Sequence, residues 1–298
     1  MLNYSVTPDD HCRRLDSYLQ RLMPDAQPAY LRKLIKSGAC RVDTADALAG
    51  RQLSAGQIIS LKESAAVLQQ LQARAANIDL LWRDDRLLVL NKPAGLAMHP
   101  AAEVDANLAD LASDWLSRLS GHPSRAYPVN RLDRGTSGAV LLATSSSNAG
   151  ILGRQVKEEG LDKRYLTVVE GEVSGRGEID RLLDGKESLS RYRALATGER
   201  HSLLLVEPVT GRTHQIRRHL SLIGHPVAGD TRYDAEALPD LPGFALHSFR
   251  TTLRHPAACD RLTICAPLPA ALRGLITERC ALDEPALLQL LTELAAPA

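Results

Sequence analysis

Leu15, Leu19 and Leu22, then Leu31, Leu34 and Ile35, recur at three- and four-residue spacing. They predict two short amphipathic helices, the second stopped at Gly38. Short strand-like pieces follow at 41–43 and 58–61. Residues 64–77 are rich in Ala and Gln and hold neither Gly nor Pro. They read as a linker, which divides the chain into residues 1–63, the linker 64–77, and residues 78–298. Past Ile78 the texture changes. The apolar run at 86–91 predicts a buried strand, and Lys92-Pro93-Ala94-Gly95 a turn. Leu108, Leu111, Trp115 and Leu119 share a helix face. Strands are predicted at 137–144, 165–170, 202–206 and 261–265, and a helix at 147–159. Thr213 is the expected N-cap of a helix that carries Ile216, Leu220 and Ile223 and stops at Gly224. Asp283 and Pro285 open a last helix over 284–295. Strands and helices without a regular βαβ rhythm predict an α+β fold with a mostly antiparallel sheet.

Composition adds bounds. A chain of 298 residues fits about two domains of ~150 residues each. No apolar run approaches the ~18 residues that would span a membrane. Residues 1–14 lack the apolar core of a secretion signal. Five scattered cysteines without a Cys-x-x-Cys pair indicate neither a disulfide framework nor a zinc site. A cytoplasmic monomer with free thiols is the expectation. The net charge of +1 carries no general polyanion signal, but residues 11–41 hold seven basic side chains against two acidic ones. Those charges either solvate two helices or form a local RNA-binding face. Arg14-Leu15-Asp16-x-x-Leu19, Leu31-Arg32-Lys33-Leu34-Ile35-Lys36-Ser37-Gly38 and Gly56-Gln57-Ile58-Ile59 come in an order that resembles the small S-four-like RNA-binding domain, named after a ribosomal protein. That resemblance favours the second reading.

One acid, Asp133, sits between Arg131 and Arg134 just ahead of the strand at 137–144. Taken alone, such a run is a solvated turn with weak ion pairs. The wider pattern says more. Asn91-Lys92-Pro93-Ala94-Gly95-Leu96 with His99-Pro100, Arg131-Leu132-Asp133-x-x-Thr136-Ser137-Gly138, and Lys163-x-Tyr165 before Gly171 follow one another. Then come Thr210-Gly211-Arg212-Thr213-His214-Gln215-Ile216-Arg217-x-His219, Gly224-His225-Pro226, Gly229-Asp230-x-x-Tyr233, Leu246-His247-Ser248 and Ala266-Pro267-Leu268-Pro269. In this order they resemble the RluA family of RNA pseudouridine synthases. The chain departs from the family pattern at Asn130, where His is usual, at Thr144 and at Ser248.

The resemblance implies a pseudouridine synthase fold behind a small α/β RNA-binding domain. It implies isomerisation of uridines in structured ribosomal or transfer RNA, with no obligate protein partner. This reaction adds no atoms and exchanges no electrons, so neither cofactor nor metal is required. Asp133 is the implied nucleophile, by the logic of carboxylates in glycoside chemistry. Arg217 is implied to hold it ionised, although spacing alone makes Arg217 a surface helix charge beside Arg218. Tyr165 is implied as a catalytic residue that stacks on the flipped base or handles a proton through its hydroxyl, where an isolated strand tyrosine is otherwise just half-buried. Arg131, Lys163 and Arg212 are implied RNA contacts, and Leu246 an apolar wall. His99, His214, His219, His225 and His247 read as structural. The competing function is a non-catalytic RNA-binding protein that keeps the fold. A metal-dependent hydrolase is disfavoured, because no second acid lies at a suitable spacing.

Overall fold

The structure, a computed structural model, describes residues 1–23, 26–71, 78–100, 107–120, 122–256 and 260–296. The first unit holds β1 (Leu2–Ser5), α1 (Leu15–Leu22), α2 (Pro28–Lys36), β2 (Cys40–Val42), β3 (Ala45–Asp46) and β4 (Ile58–Leu61). Its four strands form an antiparallel sheet in the order β1-β4-β2-β3. Leu15, Leu19, Leu31 and Ile35 bury the two helices against Val42, Ile59 and Leu61 of that sheet, as the helical spacing requires. Part of the expected linker is helical, α3 (Ala65–Leu71); residues 72–77 and Cys259 lie outside the described residues.

The larger unit runs through β5 (Leu80–Arg83), β6 (Leu87–Lys92), α4 (Leu108–Ser120), β7 (Tyr127–Pro128), β8 (Ser137–Ala143), α5 (Ser146–Glu159), β9 (Asp162–Glu170), β10 (Arg176–Asp180), β11 (Leu189–Thr197) and β12 (His201–Pro208). It continues with α6 (Gln215–Leu222), β13 (Leu246–Arg254), β14 (Arg261–Cys265), α7 (Ala270–Arg279) and α8 (Glu284–Ala295). One sheet carries all its strands, in the order β10-β11-β12-β9-β13-β8-β6-β5, with β7 on β8 and β14 on β13. Every pairing is antiparallel except β13 with β8. Central strands are covered on both faces. Leu88, Leu90, Val140 and Leu142 pack toward Trp115, Leu287 and Leu291. Leu87, Val89, Leu141 and Ala143 point the other way, toward Leu152 and Ile264. Two-sided burial is why β6 and β8 read as continuous apolar runs.

β10, β11 and β13 are among the strands that the hydrophobic pattern does not predict. β10 and β11 lie at the far end of the sheet and are half exposed. β13 is central, but its sequence is polar: His247, Ser248, Arg250, Thr251 and Thr252 are all buried. Buried polar groups are ordinarily satisfied internally, as His247 and Arg250 are, while Ser248 Oγ and Thr251 Oγ1 have no partner among the described residues. Arg250 Nη1 donates to the carbonyls of Leu294 and Ala296 at 3.0 and 2.7 Å, at the C-terminal end of α8. His247 Nε2 lies 3.1 Å from the Ala266 carbonyl, and Nδ1 lies 2.9 Å from Ser137 Oγ. A carbonyl only accepts, so Nε2 carries the proton and the serine donates to Nδ1. Complete burial pushes the His247 pKa down to about 4.

The imidazole is therefore neutral when folded, whereas an unfolded chain protonates near pH 6.5. The unfolded state binds the extra proton, so stability is held above pH 6.5 and lost as pH falls toward 4, by at most about 3 kcal/mol. His247→Gln keeps a donor and an acceptor at this position. We expect its melting temperature to fall less than the wild type's between these two pH values, measured by thermal denaturation; parallel curves would refute the assignment.

The small unit is seated on the large one. Arg13, 2% exposed, donates to both Asp79 oxygens at 2.7 and 2.9 Å and to the Leu80 carbonyl at 3.2 Å. It also pairs with buried Asp10 at 2.8 Å. Ser17 Oγ donates to the Leu80 carbonyl at 2.7 Å, and His11 Nε2 meets the Leu288 carbonyl at 2.7 Å. Thus Arg13 is a docking residue, while Arg14 pairs with Asp16 and Arg21 with Asp10. The exposed basic side chains of the unit are Arg32, Lys33 and Lys36 of α2, Arg21, Arg41 and Lys62.

Candidate active site

The parallel junction of β8 and β13 sets the geometry. His247 pairs with Ser137 and Ser248 with Gly138, so both strands enter from the same end. Gly138 has φ +111°, and a Cβ there would strike the Ser248 backbone; only glycine lets the strands meet so closely. On the other side of β13, Tyr165 pairs with Ser248 and Thr167 with Leu246. The turn that ends at β8 therefore lies at the same end of the sheet as Tyr165 and Leu246.

That turn carries Asp133. Thr136 N–H closes it onto the Asp133 carbonyl at 3.1 Å. Gly95 N–H donates to the Arg134 carbonyl at 2.8 Å, and Arg134 Nε donates to the Gly95 carbonyl at 2.9 Å. Beneath it lies Lys92, fully buried. Its Nζ donates to the carbonyls of Pro93, Leu96 and Arg134 at 3.0, 2.9 and 3.1 Å. Burial pushes the Lys92 pKa down to about 8, against the pull of Asp133. Three carbonyls use all three ammonium protons, and a neutral amine has only two. We expect turnover to decline above about pH 8 as this support loosens, and Lys92→Met to be slower than wild type with no such decline. A pH–rate profile that stays level to about pH 9 would count against it. Lys92's effect on stability has the opposite sign. The unfolded chain holds this proton up to about pH 10.4, so stability from this group rises over the same window.

Asn130 sits at the departure from the family pattern. Its Oδ1 accepts from Leu141 N–H at 2.8 Å, which ties the turn to β8.

Arg217, on α6, reaches Asp133 across 84 residues of sequence. Its Nη1 donates to Asp133 Oδ2 at 2.9 Å. Nε and Nη2 donate to the two oxygens of Asp230 at 2.6 and 2.8 Å. Asp230 is 2% exposed and Arg217 5%, so this is a buried charge-assisted pair. The guanidinium lies 4.2 Å from the Phe244 ring centre and 4.9 Å from that of Tyr233. Burial by itself would lower the Arg217 pKa; the hydrogen bonds and charges of Asp230 and Asp133 outweigh it and raise it. Phe244 also packs on Gly135, where a Cβ would come within 2.5 Å of the ring.

Arg217 is therefore inward and held, while neighbouring Arg218 makes the surface pair, to Asp184 at 2.9 Å. Thr213 is not the N-cap of α6. His214 occupies that position with φ 52° and ψ 27°, and no side chain caps it. The preceding turn is closed instead by Gln215, whose Oε1 accepts from Arg212 N–H and Thr210 Oγ1 and whose Nε2 donates to the Leu189 carbonyl.

One cavity of about 460 Å³ is lined by Asp133, Arg217, Tyr165, Arg131, Lys163, Arg212 and Leu246. All seven residues expected from sequence meet there. Tyr165 and Leu246 are buried in its wall, Lys163 is half-buried, and Arg131 and Arg212 are exposed at its rim. Four further residues belong to the site: Asp230, Tyr233, Phe244 and His214. Asp230 is the second acid that spacing did not reveal, and both its oxygens are committed to Arg217. His214 also lines the cavity; its Nε2 is 3.8 Å from Asp133 Oδ1 and its Nδ1 2.8 Å from Tyr233 Oη. His219 and His225 are bound within the fold, to Ser188 and Ser190 and to the Glu170 carbonyl. Among the described residues no group of His, Cys, Asp and Glu is arranged to hold a metal ion.

Residues 86–222 match the model of the RNA pseudouridylate synthase family. The ribosomal large subunit pseudouridine synthase D of Nitrosomonas europaea is 32% identical over 287 residues, which cover 88% of this chain and 83% of the relative. The chain belongs to the RluA family of RNA pseudouridine synthases. It is an isomerase of that family, and the non-catalytic alternative is set aside. The ribosomal large subunit pseudouridine synthase C of Escherichia coli K12 is 30% identical over 302 residues, covering 90% of this chain and 93% of the relative. Among solved structures, human RNA pseudouridylate synthase domain containing 1 superposes with TM-score 0.56 at 27% identity, over 75% of this synthase and 98% of that chain. No helix among the described residues of this synthase is long and apolar enough to cross a membrane.

Proposed function

We propose that this synthase converts uridine to pseudouridine in structured RNA with Asp133 as its nucleophile. The Arg217–Asp133 hydrogen bond of 2.9 Å at the edge of a cavity walled by Tyr165 and Leu246 carries this reading. The chemistry requires a carboxylate that stays ionised beside a base drawn out of its stack, which itself costs a few kcal/mol. A guanidinium anchored on Asp230 supplies the counter-charge without moving. Tyr165 offers a stacking face, worth about 1–3 kcal/mol per base. Leu246 bounds the uracil, and Arg131, Lys163 and Arg212 meet the backbone around it. Asp133 attacks or stabilises the sugar or base while the C1′–N1 bond breaks, and C5 then bonds to C1′.

Two relatives named for the ribosomal large subunit favour large-subunit ribosomal RNA over transfer RNA as substrate. Residues 1–63 act as an S-four-like RNA-binding domain, with α2 presenting Arg32, Lys33 and Lys36. Arg13 sets that domain against the catalytic one, so the two read RNA as one body. Mapping pseudouridines in total RNA from cells with and without the gene tests the whole reading. Loss of one or more sites in large-subunit RNA is expected; an unchanged map would refute it.

A further inference from the structure

We propose that Val209 is a substrate-contact residue, which packs on the face of the base next to the target uridine in the RNA. This contact presupposes the function proposed above and extends it from the flipped nucleotide to its neighbour. When a uridine leaves its stack, the adjacent base turns one apolar face to water. A side chain that covers this face offsets part of the cost of flipping.

Val209 is placed to do this. Exposed apolar side chains are scattered over the described residues, among them Leu48, Leu182 and Leu222, and one such residue in isolation carries no meaning. Val209, 52% exposed, differs because it lines the catalytic cavity. Its place in the sheet decides which part of the substrate it meets. Val206 stands opposite Tyr165, and Val209 follows three residues later, just past the end of β12. Extended chain covers about 10 Å in three residues. That distance leads from the wall where uracil stacks to the lip, where the neighbouring nucleotide enters.

The lip is tied on two sides. Val209 N–H donates to the Leu189 carbonyl at 2.9 Å, and Leu189 N–H donates to Thr210 Oγ1 at 3.1 Å. Thr210 Oγ1 in turn donates to Gln215 Oε1 at 2.6 Å, which joins the lip to α6. A β-branched side chain on a fixed turn has few rotamers to lose, so holding it against a base costs little ordering. The surroundings suit RNA. Arg131 and Arg212 are exposed at the same rim and Lys163 is half-buried there. Glu207, the adjacent acid, is turned to Arg164 at 3.1 Å. The rim thus sets cationic groups for phosphates beside an apolar spot for a base. Such a contact reads no base edge. It accepts any neighbouring base, since every base has a flat face, but it needs one to be present.

The test uses an RNA hairpin built around a uridine found by the mapping experiment. The base on its 5′ or its 3′ side is kept, or removed to leave an abasic ribose. Val209→Ser is expected to lower kcat/KM on the intact hairpin about tenfold, through KM, because the contact is made before chemistry. Val209→Leu keeps the apolar surface and should stay near wild type. Both variants should melt with the wild type, as exposed substitutions ordinarily do. Removing the base on the contacted side should cost the wild type about tenfold more than it costs the serine variant. Removing the base on the other side should cost both proteins equally. Equal costs on both sides, a serine variant as fast as wild type on the intact hairpin, or a leucine variant as slow as the serine one would each overturn the contact. If the mapping finds no uridine that depends on the gene, the function beneath it falls instead.

Discussion

Asp133→Asn is expected to abolish pseudouridine formation and leave the fold and RNA binding intact. Asparagine has the same shape, and its Oδ1 can still accept from Arg217 Nη1, which donates at 2.9 Å in the native site. What it loses is the negative charge, and with it the ability to attack or to stabilise a developing cation. Losses on removing a nucleophile run to ~10⁴ or more in kcat. Stability should change little, because Arg217 remains neutralised by Asp230 through two bonds of 2.6 and 2.8 Å. Asp133 is also 27% exposed, so no buried charge is orphaned. Release of the C5 hydrogen from uridine in a large-subunit RNA transcript measures the first effect, and thermal denaturation the second. Turnover within tenfold of wild type would remove Asp133 from the chemistry.

Replacing Arg217 with Leu should be worse for the fold than for any other single side chain of the site. Asp230, 2% exposed, would be left ionised with no counter-charge, and breaking a buried pair from one side costs about 3–5 kcal/mol. Loss of the contacts to Phe244 and Tyr233 adds about 1 kcal/mol each. Together these correspond to a fall in melting temperature of roughly 10 °C or more. The double variant Arg217→Leu with Asp230→Leu separates the causes. With both charges gone, well-packed leucines should recover most of the stability and none of the activity, because Asp133 still lacks its partner. A double variant as unstable as the single one would show that packing, not the orphaned carboxylate, dominates.

Both outcomes turn on how Arg217 is held, and that was only partly visible in the chain. α1, α2, α4, α5, α6 and α8 were legible because each buries one face, and periodicity records a buried face directly. β6 and β8 were legible as apolar runs. β13 was not, because a central strand filled with His247, Arg250 and three hydroxyl residues hides its burial behind polar side chains, and the bonds that hold His247 and Arg250 form only after folding. The N-terminus of α6 was misplaced by one residue. Gln215 closes the turn from within the helix, and His214 takes a backbone that local rules give to glycine.

The ordered motifs determined the family and picked out seven side chains that meet at one cavity, and the succession of strands and helices determined the α+β class. Tertiary structure alone decided that Asp230, 13 residues beyond Arg217, grips it from behind, that Phe244 and Tyr233 flank it, and that Arg13 is spent on joining two units. Spacing records which face of an element is buried, but a charge's partner is set by the path of the chain. That partner cannot be read until the sheet has brought distant strands to one edge.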